Sequence, residues 1–182
     1  IVDRATTIIK KHFEEKGFKN AEVNIKQTDD LTHENEVIVD IYVDKKEKVK
    51  VHKIYIDGNE VLSDRKIKWA MKKTNEKGNL LHLFRTKKFV EENYKNDKNL
   101  IIEKYNELGY RDAAIVNDSV VRYNDKTVDV YLTIDEGKKY YIRNIDWVGN
   151  TIYPSDYLSA VLGMKPGDVY NQKMLNKRTM ED

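Results

Sequence analysis

The clearest pattern in the sequence is an alternation of apolar and polar side chains over residues 127–135. Its four apolar positions are Val128, Val130, Leu132 and Ile134. A period of two places successive side chains on opposite faces of a strand, so we predict a β-strand with one face on a core and one towards water. The β-branched segment 113–123 precedes it and is joined to it around Asn124, which predicts a β-hairpin.

Upstream of this hairpin, the spacing of apolar residues indicates one strand and two helices. The β-branched run 49–56 ends at Gly58 and predicts a strand followed by a turn. Ser63 can cap a short helix over 65–73, and apolar residues at three- and four-residue steps predict a longer helix over 88–108. The predicted order is β-α-α-β-β, an α+β fold with two helices on one face of a small sheet.

The same pattern recurs with a period of about 91 residues. The matched positions are Val37/Val128, Val39/Val130, Ile41/Leu132, Val43/Ile134, Val51/Ile142, Ile54/Ile145, Ile56/Trp147 and Gly58-Asn59/Gly149-Asn150. A fixed period of this kind indicates tandem structural units. We therefore predict one complete unit at 47–137, preceded by the C-terminal part of a unit at 1–46 and followed by the N-terminal part of another at 138–182.

The two partial units predict the remaining elements by the same reasoning. These elements are a helix at 3–16, strands at 21–27, 36–44 and 140–148, a helix opened by Pro154 and a helix that starts at Asn171. Trp69 and Trp147 fall on periodic apolar faces, so we expect both to be core residues.

Composition favours several small cores over one large core. Charged residues make up 35% of the chain and the mean hydropathy is −0.75, whereas a single domain of this length buries roughly 70% of its unfolded surface. The aromatic content of 10% argues against disorder. The chain has no cysteine, which excludes disulfides and thiolate chemistry, and no apolar run approaches the roughly 18 residues that span a bilayer.

No motif for catalysis, metal binding or phosphate binding appears in the sequence. The four histidines lie in different predicted elements without metal-ligand spacing, and each glycine stands alone at a turn or helix end. We therefore predict no enzyme activity, no metal and no cofactor. The 33 basic residues nearly balance the 31 acidic ones, which argues against a nucleic-acid partner. A KH-like nucleic-acid-binding module is the alternative from another class, although its G-x-x-G loop is missing.

Several motifs resemble the polypeptide-transport-associated (POTRA) repeat. The end of the predicted long helix, with Tyr105 followed by Gly109-Tyr110, is similar to the family's Y-x-x-x-G-Y. The strands that end in Gly-Asn and the segment Gly167-Asp168-x-Tyr170-Asn171 are also similar to family motifs. Across essentially its whole length, the chain resembles the POTRA segment of BamA-type outer-membrane protein assembly factors. A related secretion or autotransporter assembly pore is the alternative within the superfamily.

The resemblance implies tandem units, each a three-stranded mixed sheet with the third strand in the centre and two helices packed on one face. It implies a non-enzymatic periplasmic scaffold in a Gram-negative bacterium. The implied partners are unfolded outer-membrane proteins, accessory lipoproteins and periplasmic chaperones. It also implies that the chain is an internal piece of an outer-membrane protein whose C-terminal β-barrel is absent here.

The second strand of the complete unit is the first candidate site, because the resemblance places it at an edge of the sheet. Unpaired N–H and C=O groups at an edge can accept an extended client as an added strand. The candidate residues are Ala113, Ala114, Ile115, Val116, Asn117, Asp118, Ser119, Val120 and Val121. The alternative is that a neighbouring unit or the strand's own polar residues protect this edge.

The second candidate lies in the stretch 65–88, which carries nine basic residues and one acidic residue. Basic and apolar side chains together fit a membrane surface or an acidic partner. The candidate residues are Leu80, Leu81, Leu83, Phe84, Arg85, Lys87 and Lys88. Gly78 and Gly167 lie 89 residues apart, whereas Asp97 and Asp182 lie 85 apart. We therefore expect about four extra residues here relative to the equivalent segment after Gly167. The alternative is that the apolar residues cap the core and the lysines are solvated.

Overall fold

The computed structural model describes residues 2–77 and 87–180 of the 182-residue chain. Its helices are α1 (Val2–Glu15), α2 (Asp64–Ala70), α3 (Glu91–Glu107), α4 (Ser155–Leu162) and α5 (Gln172–Met180). Its strands are β1 (Glu22–Asp29), β2 (Val37–Asp44), β3 (Lys50–Asp57), β4 (Ala114–Asn124) and β5 (Thr127–Asp135). The α+β class predicted from the sequence is confirmed.

The strands form two separate sheets. Strands β1 and β2 pair antiparallel, and β3, β5 and β4 form a three-stranded sheet in that order. The Lys50 amide donates to the Lys126 carbonyl at one end of the β3–β5 pair, and Gly58 lies against the Ile134 carbonyl at the other. The residue numbers of both strands increase from the first of these contacts to the second, so β3 and β5 are parallel. The tight turn between β4 and β5 makes that pair antiparallel. The sheet is mixed, with the third strand of the unit in its centre, as predicted.

The alternating pattern of β5 becomes a buried face. Its four apolar side chains are each at most 5% exposed. Ile67 of α2 and Ile101 and Tyr105 of α3 are fully buried, as their apolar spacing predicts for the inner faces of the helices. Met71, just after α2, is fully buried as well. Met71 is the C-cap of α2, whose last helical residue, Ala70, lies three residues before the predicted end. Truncating a large buried aliphatic side chain in such a core costs roughly 2–5 kcal/mol.

Contacts between residues divide the chain into two compact units. Unit 1 contains residues 1–54, 72–96 and 120–130, and unit 2 contains residues 55–71, 97–119 and 131–182. Unit 1 holds α1 and the β1–β2 hairpin. Unit 2 holds α2, α4, α5 and most of α3. The repeat boundaries at 46/47 and 137/138 remain predictions from the sequence.

The long helix α3 begins three residues later than its apolar spacing predicts. The backbone before it is held in a bridge to β3, where the Val51 amide donates to the Lys87 carbonyl at 3.0 Å. The Phe89 amide likewise donates to the Val49 carbonyl at 2.8 Å. Backbone groups that pair with a strand cannot close helical turns, so the helix starts only at Glu91.

The predicted strand 140–148 does not form. Among the described residues, Tyr141 makes a single bridge to Val169, and Ile142 exchanges hydrogen bonds with the 167–168 backbone. A strand forms only when its backbone pairs with a neighbouring strand. β3 pairs with β5, but no strand of the described chain lies beside residues 140–148. The prediction of a strand here is therefore wrong, because the segment has no strand to pair with among the described residues.

Two further expectations about burial are wrong. Trp69 is 49% exposed on α2, because the short helix buries Ile67 and turns the tryptophan outwards. Trp147 is only half-buried and donates its indole N–H to Ser159 Oγ at 2.8 Å. The positions of β2 that match the buried face of β5 are also exposed, by 40–57%.

Candidate binding edge and repeat junctions

Strand β4 lies at an edge of the three-stranded sheet. In the part of the chain that the structure describes, β5 is the only strand beside it. Ala113 just before the strand is buried, whereas Val116 is 60% exposed and Val121 and Tyr123 are also exposed. Apart from Ala113, the predicted edge residues thus lie together on one strand with an open side in the described chain, which can offer backbone groups to an added strand.

Charged and aromatic neighbours anchor β4 to the rest of the sheet. Asp118 accepts a hydrogen bond from Lys98 of α3 at 2.9 Å. Near the other end, the Tyr123 ring stacks on His52 with centroids 4.0 Å apart. His52 in turn contacts a nearly buried carboxylate, with Nδ1 2.8 Å from Asp129 Oδ1. These contacts use side chains, and no strand of the described residues pairs with the outer side of β4.

The second candidate site falls largely outside the described residues. Leu80, Leu81, Leu83, Phe84 and Arg85 belong to the undescribed segment 78–86. Lys87 and Lys88 are described and are half-buried.

Both lysines take part in a junction between successive repeats. The Lys87 carbonyl accepts from β3, and the side chain of Lys88 lies so close to Gly17 that an added Cβ would stand 3.0 Å from its Cδ. In the described chain, the Lys87 backbone and the Lys88 side chain therefore contribute contacts to this junction.

This first junction, which we call junction 1, joins the end of α1 to the start of β3. The Val49 amide donates to the Gly17 carbonyl at 3.0 Å, and the Phe89 amide donates to Val49. Two residues after Val49 along the chain, the Val51 carbonyl accepts from the Lys77 amide at 2.8 Å. The end of the long helix of one repeat is thus joined to the first strand of the next repeat by backbone hydrogen bonds.

Junction 2 repeats this pattern at the end of α3. The Tyr140 amide donates to the Gly109 carbonyl at 2.9 Å, and the Tyr170 amide donates to Tyr140 at 3.0 Å. The Ile142 amide donates to Asp168, and the Gly167 amide donates back to Ile142, both at 2.8 Å. The two junctions match bond for bond, so the sequence repeat is also a repeat of backbone pairing.

The matching bonds correct the predicted length difference. Lys77 and Gly167 occupy equivalent places 90 residues apart, whereas Lys87 and Asp168 are only 81 apart. The middle repeat therefore carries nine extra residues before its long helix (90 − 81), not four. The sequence comparison was wrong because it paired Asp97 with Asp182, which lie at different distances from the starts of α3 and α5.

The glycine of the Gly-aromatic motif is required by close approach at junction 2. Gly109 has φ of +93°, and an added Cβ would lie 2.5 Å from Val169 Cγ1 and 3.2 Å from the Tyr140 carbonyl oxygen. Tyr110 closes the helix end by donating its amide to the Tyr105 carbonyl. The motif therefore ends the helix and opens room for the next repeat.

The Gly-Asn motif builds the turn between the first strand and the first helix of each repeat. Asn59 Nδ2 donates to the Leu62 carbonyl at 2.8 Å and to Asp64 Oδ1 at 3.0 Å. Asn150 Nδ2 makes the equivalent bonds to the Tyr153 carbonyl and Ser155 Oγ, both at 3.1 Å. The asparagine thus fixes the helix start from the turn, which explains why the dipeptide recurs.

Within the complete unit, a buried tyrosine of α3 is hydrogen-bonded to an acidic side chain just after β5. The Tyr105 hydroxyl donates to Glu136 Oε1 at 2.8 Å, and the Val61 amide donates to the same carboxylate at 2.9 Å. Burial raises the pKa of Tyr105, and the hydrogen bond to Glu136 raises it further. The motif tyrosine was found from the sequence, but its acidic partner was not, since no local pattern links residues 31 positions apart.

Charged side chains surround junction 2. Glu107 accepts hydrogen bonds from Lys104 and Lys173, each at 2.8 Å, and these two cations lower the pKa of its carboxyl group. On the other side, Asp112 pairs with Arg111 at 2.9 Å and accepts from the Tyr140 hydroxyl, which together lower its pKa.

The loop of the β1–β2 hairpin brings together three side chains of metal-ligand type. Atoms of Asp30, His33 and Glu36 lie within 4.8 Å of one another. Sequence inspection missed this group because it considered histidine pairs. The Asp30 carboxylate accepts from the Thr32 amide and hydroxyl and contacts His33 Nδ1, so loop hydrogen bonds account for the cluster.

Comparison with known proteins follows the same division into repeats. The family model of POTRA, described as a surface antigen variable number repeat, matches residues 49–137 and 140–181. The outer membrane protein assembly factor BamA of Neisseria meningitidis serogroup B is 28% identical over 176 residues, which is 96% of this chain. BamA of Buchnera aphidicola subsp. Acyrthosiphon pisum is 24% identical over 180 residues, which is 95% of this chain.

The chain spans only 22% and 27% of the length of these two relatives. The crystal structure of Haemophilus influenzae BamA POTRA3-5 has a similar fold, with a TM-score of 0.55 and 19% sequence identity. That alignment covers 98% of this chain and 67% of the crystallised one. None of the described helices is long and apolar enough to cross a membrane. The recurring Gly-Asn turns, the paired junctions and the family match together establish that this chain belongs to the POTRA family.

Proposed function

We propose that this chain is a periplasmic segment of a BamA-type outer-membrane protein assembly factor. The family membership and the two assembly-factor relatives that align with nearly the whole chain support this role. The repeated junctions join successive repeats through backbone hydrogen bonds, which suits a scaffold. We infer that the segment acts by binding and not by catalysis.

We propose further that β4 binds unfolded client proteins by β-augmentation. The observation that carries this proposal is the position of β4 at an edge of the sheet, with Val116, Val121 and Tyr123 exposed. Pairing through the main chain makes little demand on the client's side chains, and unfolded outer-membrane proteins share strand-forming character more than sequence. One edge can therefore receive many clients.

Accessory partners of an outer-membrane protein assembly factor would bind surfaces of the segment other than the edge of β4. We propose accessory lipoproteins and periplasmic chaperones as partners of the segment. The undescribed residues 78–86 and the adjoining Lys87 and Lys88 remain the candidate partner or membrane-facing loop.

Strand addition can be tested with a synthetic ten-residue peptide of alternating Thr, Val and Tyr. We expect it to bind the 182-residue chain, and we expect the same peptide with alternate backbone amides N-methylated to bind at least ten-fold more weakly. Methylation removes main-chain donors while the side chains stay the same.

The matched protein variants are Val116→Pro and Val116→Thr. Proline removes a backbone donor of the strand, whereas threonine keeps the β-branched shape. We expect weaker peptide binding for Val116→Pro alone, with circular dichroism and thermal unfolding as controls for folding. Equal binding of the methylated and unmethylated peptides would contradict the proposal whatever the variants do.

A further inference from the structure

We propose that α2 carries a binding site for the phosphate headgroups of an anionic phospholipid surface. The site is the exposed face of α2 formed by Arg65, Lys66, Lys68 and Trp69, which we call the basic face. Arg65 and Lys66 are exposed, Lys68 is half-buried and Trp69 is 49% exposed. The opposite face of the same helix is fixed to the core by the fully buried Ile67.

The second copy of this helix shows that the fold does not require the basic face. By the 91-residue period, the four positions correspond to Asp156, Tyr157, Ser159 and Ala160 of α4, and none of these is a cation. The inward position is apolar in both copies, with Ile67 matched by Leu158. The repeat therefore conserves what the core needs and leaves the outer face of α2 to another use.

The kind of charge favours a lipid surface over a protein partner. Residues 64–73 contain one acidic residue and five basic ones, of which four are lysines. Lysine is depleted in protein–protein interfaces, whereas clusters of four to eight basic residues are typical of binding to anionic lipids. The count here reaches five because Lys72 and Lys73 directly follow the three cations of α2. Lysine side chains can reach headgroup phosphates while their stems lie along the helix.

Trp69 supports the same assignment. Tryptophan is enriched where protein meets the membrane–water interface, because its ring is apolar and its N–H is polar. A helix face is also convex, which suits a flat layer of headgroups better than the concave pockets that small ligands use. Cations beside an exposed indole thus form the combination found on interfacial helices. This inference does not use β4 and stands independently of client binding.

The first test measures co-sedimentation of the 182-residue chain with vesicles. We expect binding to vesicles of phosphatidylglycerol and phosphatidylcholine in a ratio of 3:7 at 50 mM salt, and no binding to pure phosphatidylcholine. The variant Arg65→Gln/Lys66→Gln/Lys68→Gln should bind about 100-fold more weakly, since each cation near such a surface contributes about five-fold.

The matched control removes the same number of charges elsewhere. Lys10, Lys11 and Lys16 are exposed on and just after α1, and their triple change to Gln should lower binding by less than about five-fold. Equal losses in both triple variants would overturn the assignment to α2. Circular dichroism checks that all variants keep the native helix and strand content.

Tryptophan fluorescence gives a second readout. In a Trp147→Phe background Trp69 is the only tryptophan. With selective excitation of tryptophan, we expect its emission to shift to the blue when phosphatidylglycerol vesicles are added. Absence of the shift, or of any vesicle binding at 50 mM salt, would overturn the proposal. So would a poly-glutamate peptide that binds the basic face when the vesicles do not, since that result would assign an acidic protein partner.

Discussion

At the scale of single residues, identical motifs carry different constraints. Gly58 and Gly149 belong to the same Gly-Asn turn and have φ values of +77° and +79°. An added Cβ at Gly58 would lie 2.1 Å from the Ile134 carbonyl oxygen, whereas nothing lies within 4 Å of the equivalent atom at Gly149. The difference arises because the strand beside Gly58 has no counterpart beside Gly149 in the described chain.

We therefore expect Gly58→Ala to be much more harmful than Gly149→Ala. The second change costs only the left-handed backbone conformation, about 1–2 kcal/mol. The first adds a backbone clash and should cost at least about 3 kcal/mol. Urea unfolding followed by circular dichroism measures both. Similar losses of stability for the two variants would show that the close approach to Ile134 can relax without cost.

At the scale of secondary-structure elements, the two junctions share their backbone bonds but differ in charge. At junction 2, Lys173 of α5 pairs with Glu107 at the end of α3. The equivalent positions at junction 1 are Glu92 of α3 and Glu15 of α1, two like charges that line the same groove. Junction 1 thus lacks an attraction that junction 2 has.

A charge exchange at these positions should shift stability in opposite directions. We expect Glu92→Lys to stabilise junction 1 by about 0.5 kcal/mol and Lys173→Glu to destabilise junction 2 by a similar amount, since exposed pairs contribute little. Hydrogen exchange at the Val49 and Tyr140 amides reports each junction separately. Both effects should shrink at 1 M salt because the charges are exposed. Changes of the same sign in both variants would contradict this account.

The carboxylates of junction 2 also make it sensitive to acid. The cations beside Glu107 and Asp112 lower the pKa of each carboxyl group in the folded state. Their contribution is present at neutral pH, above the ordinary carboxyl values, and is lost as the pH falls through the lowered folded values.

We therefore expect faster exchange of the Tyr140 amide, relative to its intrinsic rate, as the pH is lowered from 6 to 3. The effect should be small because the groups are exposed enough for solvent to screen the ion pairs. The Glu107→Gln variant serves as the control and should lose part of this pH dependence. An unchanged profile would show that the ion pairs contribute nothing to the junction.

At the scale of the whole molecule, matched positions in successive repeats have different energetic roles. Val39 and Val130 are equivalent in sequence, but Val130 is fully buried in the centre of a mixed sheet and Val39 is about half exposed in a two-stranded one. We expect Val130→Ala to cost about 2–3 kcal/mol and Val39→Ala less than about 0.5 kcal/mol. Thermal unfolding distinguishes them, and equal costs would imply that β2 is covered in solution.

The sequence by itself determined the repeat and most of the element order, because period-two and helical spacing are local properties of the chain. The hairpin of β4 and β5 and the helix end at Gly109 follow from such patterns. Local spacing also located the edge strand, once the resemblance supplied the strand order.

Only the tertiary structure decided which of these patterns became core and which stayed on the surface. Trp69 is turned outwards because Ile67 takes the buried position, and residues 140–148 lack a ladder because no described strand lies beside them. The pairing of Tyr105 with Glu136 and the matching junction bonds join residues distant in sequence. Burial and hydrogen bonding depend on partners brought close by folding, so no local pattern could determine them.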